Sequence, residues 1–319
     1  MSGAGPRIVV ADPLANSGIQ LLREQADVIV TADAASLSEA LPASQALIVR
    51  SRTKVTAALL ELGGQLRIVG RAGIGVDNID VPAATDRGIL VVNAPLGNVR
   101  STAEHTIGLL FALARRIPAA DRAVRDGSWK SGYEGTQVAG KRLGVIGIGK
   151  VGREAATIAR GIGMDVVAFD PYLPTVAWAS LSVPPVGLEE LLATSDFVTL
   201  HVPIADDTRN LIGEAELALM KAGSYLINCA RGGLVDEDAL AGALASGHLR
   251  GAAVDVFEEE PVVESPLLAA PNVILTPHVA ASTAEAQDQV SADVAVQVLD
   301  FFAGRPVSFP INPSVLGKA

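Results

Sequence analysis

The sequence predicts an α/β protein built on two doubly wound parallel sheets. Three observations lead there. Short β-branched runs alternate with helix-length segments, the pattern of parallel strands covered on both faces. The runs fall into two series with a break between them, and the 319 residues are about twice an ordinary single domain.

The first series comprises residues 7–12 (RIVVAD), 27–31 (DVIVT), 46–51 (ALIVRS), 66–72 (LRIVGRA) and 89–93 (ILVVN). Each is strand-length and lies close to Gly, Pro, Asp or Ser, which punctuate the chain. After Gly140 the second series runs 142–147 (RLGVIG), 165–170 (DVVAFD), 197–203 (FVTLHVP), 224–230 (SYLINCA), 251–257 (GAAVDVF) and 273–278 (VILTPH). Between the series, residues 101–117 open on Ser101 and Glu104 in capping-box spacing, which predicts a helix joining the two units. The same signal at Ser282 and Glu285 predicts a tail helix through about Phe302, stopped by Gly304 and Pro306.

An apolar share of 49% with 19% charged residues describes a chain able to bury a core, not a disordered one. Twenty-five basic against thirty-five acidic residues give a net charge of −10, which repels a nucleic-acid backbone and excludes that class of partner. An anionic ligand must then be held locally. Cys229 is the only cysteine, so no intrachain disulfide or Cys-rich metal site is expected, and a reducing cytoplasm is the natural setting. The longest apolar stretch, 107–114, falls far short of the roughly 20 residues a bilayer needs, and no signal h-region opens the chain.

Gly147, Gly149 and Gly152 form a GxGxxG pattern between a strand run and a helix pattern. Gly147 serves the tight turn, Gly149 lets backbone approach a pyrophosphate, and Gly152 lets helix and strand pack closely. Asp170 closes the next run, where a carboxylate accepts from both ribose hydroxyls and repels a 2′-phosphate; NAD is favoured over NADP. The competing reading is a ligand-free structural turn. Gly161 and Gly163 read as helix-end and turn glycines.

Ligands of open α/β sheets bind beyond the carboxyl ends of the strands. In the second series those ends carry Arg231, Asp255, Glu258 to Glu260, and His278. Arg231 sits among small residues, where a guanidinium can clamp a carboxylate, or else bridges a surface acid. His278 follows Thr276 and Pro277 and is the natural proton carrier near neutral pH. The acidic run is either a solvated face or the partner of an imidazole; Pro261 restricts Glu260 to extended backbone. His105 and His248 read as structural or solvated, while His201 ends a strand and either packs in the core or lines the cofactor cleft. In the first series Arg50, Ser51 and Arg52 end one strand and Arg71 another, either a phosphate pocket or surface charge. Metal-binding and acyl-transfer patterns such as HExxH and GxSxG are absent, and no metal is expected.

With these residues, the segments GRAGIGVDNID (70–80), NCARGGLVD (228–236), DVFEEEP (255–261) and TPHVA (276–280) give a chain that resembles the D-isomer-specific 2-hydroxyacid dehydrogenases over essentially its full length. The resemblance implies a flavodoxin-like substrate-binding domain from 1–100 plus 284–319 and a Rossmann NAD-binding domain from 101–283. It implies that Arg231 binds the substrate carboxylate and carbonyl, Glu260 pairs with the imidazole, and His278 moves the proton on the C2 oxygen. NAD contacts carry over to Gly147, Gly149, Lys150, Val151, Gly152 and Asp170. They also carry over to Val202, Pro203, Cys229, Ala230, Arg231, Asp255, His278, Ala280 and Ala281. Substrate contacts carry over to Arg50, Ser51, Arg52, Arg71, Gly75, Val76 and Asn98, with Arg231 and His278.

A homodimer through the nucleotide domain is implied, with 101–117 and the arm around Trp129 in its interface. The implied reaction is NAD-dependent oxidation of 3-phospho-D-glycerate to 3-phosphohydroxypyruvate, which opens L-serine synthesis. Alternatives are a glyoxylate or hydroxypyruvate reductase, another D-2-hydroxyacid dehydrogenase, or a dinucleotide-sensing scaffold similar to the corepressors of this fold. Three departures stand out: Ile74 where Thr is expected, Val279, Ala280 and Ala281 in place of a glycine-rich loop, and an end at Ala319. The last leads to the expectation of a short form or fragment without the regulatory C-terminal domain.

Overall fold

The computed structural model describes residues 5–129 and 132–317; Met1 and Ala319, the two chain ends, lie outside the described residues. The chain divides into two compact units, Met1–Asn98 with Ser282–Ala319, and Val99–Ala281.

The first unit alternates β1 (Arg7–Val10), α1 (Asn16–Arg23), β2 (Asp27–Val30), α2 (Ala34–Ala40), β3 (Ala46–Val49), α3 (Ala57–Leu62), β4 (Ile68–Arg71), α4 (Val81–Asp86) and β5 (Leu90–Asn93). Its sheet is wholly parallel in the order β2-β1-β3-β4-β5, the flavodoxin-like arrangement.

The second unit contains α5 (Val99–Ala114), α6 (Ile117–Arg125), β6 (Arg142–Ile146), α7 (Lys150–Gly161), β7 (Asp165–Phe169), α8 (Thr175–Trp178), α9 (Leu188–Thr194), β8 (Phe197–Leu200), α10 (Glu214–Leu219), β9 (Tyr225–Asn228), α11 (Glu237–Ala245), β10 (Gly251–Val254) and β11 (Val273–Leu275). Its sheet is also parallel, in the order β11-β10-β9-β8-β6-β7. A Rossmann sheet usually carries one more strand outside β7. Here Pro184 and Pro185 occupy that segment, and proline has no N–H for a ladder. The strand is reduced to the Ala168–Pro185 bridge, with Ala168 N–H donating to Pro184 and Val186 N–H to Ala168.

The central strands of both sheets are buried on both faces, which explains their continuous apolar runs. One face of the first sheet packs on Ile19 and Leu22 of α1 and the other on Leu37, Leu60 and Ala84. The tail helix α12 (Ala284–Phe302) belongs to this unit. Val290, Val294, Val298 and Leu299 pack in the α1 layer, each contributing about 1.5–3 kcal/mol when fully buried. Beyond it, Gln297 Nε2 donates to the Asn93 carbonyl at 2.7 Å and its Oε1 accepts from Phe309 N–H at 2.9 Å, and Ile311 N–H donates to Val91. The tail thereby covers the edge strand β5.

All eleven predicted strands are present, but their hydrogen-bonded parts stop short of the apolar runs. The residues left over include the polar strand ends Asp12, Arg50, Ser51, Asp170, Asp255 and His278.

Both capping boxes are corrected. Helix α5 begins at Val99, so Ser101 lies buried inside its first turn and Glu104 instead pairs with Arg100 at 2.6 Å. The helix lies wholly in the second unit and ends at Ala114; Arg116, in left-handed backbone (φ 53°), separates it from α6, whose start holds Pro118. At α12 the cap is Thr283, whose side chain accepts from Ala286 N–H, one residue beyond the predicted Ser282. The box spacing describes a local option, and burial of the neighbouring turn chooses the actual start.

Candidate active site

At the end of β6, Gly147 holds φ 89° and donates its N–H to the Phe169 carbonyl at 2.8 Å. Half-buried Val202 packs against it, and Pro203 lies exposed beyond. A Cβ on Gly152 would stand 2.1 Å from the Gly147 carbonyl oxygen, backbone against backbone, so only glycine allows α7 this close to the turn. A Cβ on Gly149 would meet nothing within 4 Å. Gly149 is the N-cap of α7 and supplies no side-chain acceptor, which leaves the amides around Lys150 and Val151 as donors at the positive end of the helix. That is a fit for a pyrophosphate.

Asp170 follows β7 above this turn. Its Oδ2 accepts from Ile148 N–H at 3.1 Å and its Oδ1 from Tyr172 N–H at 3.0 Å. Each carboxylate oxygen retains acceptor capacity for a ribose hydroxyl. The Tyr172 hydroxyl donates to Asp207, tying the loop after β7 to the loop after β8.

The order β11-β10-β9 sets three strand ends side by side. After β9, buried Asn228 shapes the loop carrying Arg231: its Nδ2 donates to the Arg231 carbonyl at 2.9 Å and its Oδ1 accepts from Ala230 N–H at 3.0 Å. After β10 and β11 come the acidic run and the histidine. His278 Nδ1 lies 2.7 Å from Glu260 Oε2, while Glu260 Oε1 accepts from Phe257 N–H at 3.0 Å. Burial works against the Glu260 charge, but the hydrogen bonds of His278 and Phe257 outweigh it and hold the carboxyl below its ordinary pKa. Of the three acidic residues, the structure brings only Glu260 to the imidazole among the described contacts; Glu258 pairs loosely with Arg209 at 3.5 Å.

His278 has left-handed backbone, φ 53°, which costs roughly 1–2 kcal/mol for a residue with a Cβ. Asp255 holds it there. Its carbonyl accepts from His278 N–H at 2.8 Å, and its enclosed carboxylate accepts from Thr276 Oγ1 (2.5 Å), Val279 N–H (3.0 Å) and Ala280 N–H (2.9 Å). His105 Nε2 stands 3.6 Å away. Burial opposes ionisation of Asp255, but His105, Thr276 and the two amides bring its pKa below the ordinary value. The side chain predicted for the nicotinamide is fully buried and committed to the loop it anchors. The support from His105 and Thr276 escaped sequence reasoning, because α5 approaches β11 only in the folded unit.

Cys229 likewise turns its side chain into the core, where burial pushes the thiol up to about 12; only its backbone is left for a cofactor. Desolvation pushes His201 down to about 4, keeping it neutral, and His248 Nε2 sits 2.9 Å from the Met220 carbonyl, a structural role.

In the first unit Arg50, Ser51 and Arg52 follow β3, held by Asp12 and Asn78, neither of which spacing singled out. Arg71 ends β4 and lies against Gly73, donating to the Ala72 carbonyl at 3.2 Å. Half-buried Gly75 and Val76 follow Ile74, whose carbonyl accepts from Asn93 at 2.6 Å. Asn98 is buried with its Oδ1 unpartnered among the described residues.

A parallel sheet with a glycine turn, an acid at the second strand end and an Arg, Glu–His set at the last three defines a nicotinamide-dinucleotide-binding α/β protein. Residues 107–280 match the family model described as D-isomer specific 2-hydroxyacid dehydrogenase, NAD binding domain, and the chain belongs to that family. Among curated relatives, a D-3-phosphoglycerate dehydrogenase of Synechocystis sp. is 44% identical over 98% of this chain and 58% of its own length. One of Mycobacterium bovis is 46% identical over 96% and 59%. This chain thus spans about three-fifths of those relatives. Among solved structures, the NADPH-dependent glyoxylate/hydroxypyruvate reductase of Sinorhizobium meliloti in complex with NADP and malonate is similar at TM-score 0.85 and 28% identity, covering 97% of each chain.

Proposed function

We propose that the chain oxidises 3-phospho-D-glycerate to 3-phosphohydroxypyruvate with NAD, the first step of L-serine biosynthesis. The observation that carries this is the Glu260–His278 pair at 2.7 Å, one strand from the Arg231 loop; the names of the relatives support the substrate. Arg231 holds the carboxylate of the 2-hydroxy acid. With Nδ1–H donating to Glu260, the His278 Nε2 is the nitrogen left to take the C2 hydroxyl proton, and the Glu260 charge then steadies the imidazolium. NAD, when bound, supplies the acceptor for the hydride leaving C2. Gly147, Gly149, Lys150, Val151 and Gly152 seat its pyrophosphate, Asp170 its ribose, and Val202, Pro203, the Cys229–Ala230 backbone and the Ala280–Ala281 loop its remainder. Arg50, Ser51, Arg52 and Arg71 take the phosphate, and Gly75, Val76 and Asn98 the carboxylate side.

A homodimer through the second unit is supported by large apolar side chains left exposed on and beyond α6, namely Ile117, Val124 and Trp129, the last 70% exposed. A cytoplasmic setting is supported by the single buried cysteine; among the described residues no helix is long and apolar enough to cross a membrane.

The test is NADH formation with 3-phospho-D-glycerate and with a panel of unphosphorylated 2-hydroxy acids. Activity is expected with the former; activity confined to the panel sinks the substrate reading. The likeness to the Sinorhizobium reductase favours a second reading, which turnover of glyoxylate or hydroxypyruvate with NADPH alone would bring forward. Asp170 stands against it, since its charge repels a 2′-phosphate.

In Glu260→Gln the imidazolium loses its counter-charge, so oxidation slows by about 10²-fold and the pH dependence of kcat/KM changes. Because the folded pKa of Glu260 is depressed, the stabilisation it contributes is fully present above the ordinary carboxylate value of about 4.3 and lost only as pH falls through the depressed one. A pH profile identical in the two proteins would remove the pairing role.

A further inference from the structure

The strand order of the first sheet reverses between β1 and β3, and open α/β sheets hold ligands outside the strand ends at such a point. Asp12 follows β1 there, and Arg50, Ser51 and Arg52 follow β3. The Asp12 side chain is wholly enclosed. Its Oδ2 accepts from the N–H groups of Arg50 (2.7 Å) and Thr53 (3.1 Å), and its Oδ1 from the Thr53 hydroxyl (2.7 Å) and Arg52 Nε (3.3 Å). Asn78 braces the same loop, its Nδ2 donating to the carbonyls of Arg50 and Thr53, both at 2.7 Å. No strand pairing orders residues 50–53; these side chains do.

The two arginines are not equivalent. The exposed guanidinium of Arg52 is already paired with Asp12. Arg50 Nε is buried and has no partner among the described residues, and desolvation lowers the pKa of Arg50 against the opposing pull of Asp12. A buried N–H left unmade is costly, and an anionic acceptor is the group that relieves it best. A carboxylate near an anion site repels its ligand, so Asp12 serves binding only through the loop geometry that its four donors impose.

Resting on the reading of a phosphorylated substrate, we infer that Asp12 is the positioning residue of this strand-end anion subsite and that Arg50, more than Arg52, is its anchor. Asn at position 12 keeps the shape of Asp but turns an N–H toward one pair of donors. In Asp12→Asn the KM for 3-phospho-D-glycerate is expected to rise about tenfold, kcat to stay within about threefold, and the constants for D-glycerate to hold. Arg50→Ala raises the same KM by about tenfold or more and Arg52→Ala by a smaller factor. Calorimetric titration of each compound in the presence of NADH reads the same split without turnover. If Asp12→Asn does not fold, Thr53→Val removes one hydroxyl bond and raises that KM alone by about threefold. A lowered KM in Asp12→Asn, equal losses on both compounds, or a larger effect at Arg52 than at Arg50 overturns the inference. Arg50→Ala and Arg52→Ala both silent on the phosphorylated compound sink the phosphate reading itself. An intact Arg50 effect beside a silent Asp12→Asn sinks only the positioning role.

Discussion

His278→Gln is expected to lower turnover by about 10²–10⁴-fold while NADH binds with unchanged affinity. Glutamine keeps a polar tip of similar reach but cannot take up a proton, so the pair with Glu260 loses its chemistry and the loop keeps its anchor on the Asp255 carboxylate. Stability should change by no more than about 1 kcal/mol, because both partners of the pair are more than a third exposed. The left-handed backbone at this position calls for a control. Asparagine tolerates that conformation better than glutamine, so an equal loss in His278→Asn separates the missing proton carrier from backbone strain. Steady-state rates with 3-phospho-D-glycerate and fluorescence titration of NADH check both halves. Turnover within tenfold of wild type would remove the proton-transfer assignment.

Gly152→Ala is expected to weaken NADH binding by about 10²-fold, because the added Cβ at 2.1 Å from the Gly147 carbonyl forces the start of α7 off the turn by about an ångström and misaims its amides. The overpacking costs roughly 1–3 kcal/mol, read as a lower Tm of the ligand-free chain. Gly149→Ala is the informative contrast. Its Cβ meets no protein atom within 4 Å, so the ligand-free Tm should hold, and only a ligand lying against that backbone makes the methyl harmful. Loss of NADH affinity without loss of stability is the expected result for Gly149→Ala. Full affinity in both variants would refute the pyrophosphate assignment at this turn.

The strands were legible because a doubly covered parallel strand is a short apolar run between turn residues, a signature each segment carries alone. The glycine turn and Asp170 were legible for the same reason: their spacing along the chain is their spacing in space. Proline did the opposite work at residues 184–185, erasing an edge strand that the Rossmann pattern would otherwise show. The two capping boxes misled because Ser101 is drawn into a buried helical turn and Thr283 takes the cap from Ser282.

Composition and local pattern therefore decided the class of fold, the glycine turn and the short list of polar strand ends. The partnerships were decided in three dimensions. Three adjacent glutamates stood open until the pairing of β10 with β11 carried Glu260 to His278, eighteen residues on. Asp12 was only the polar end of the first strand run until β1 and β3 lay side by side and brought it to residues 50–53. His105 read as a helix residue until α5 reached Thr276 and Asp255. The apolar face of α12 did not say which sheet it covers. Each contact joins residues far apart in the chain, and strand order and register, which create it, follow from collective packing of the two cores and not from any local propensity.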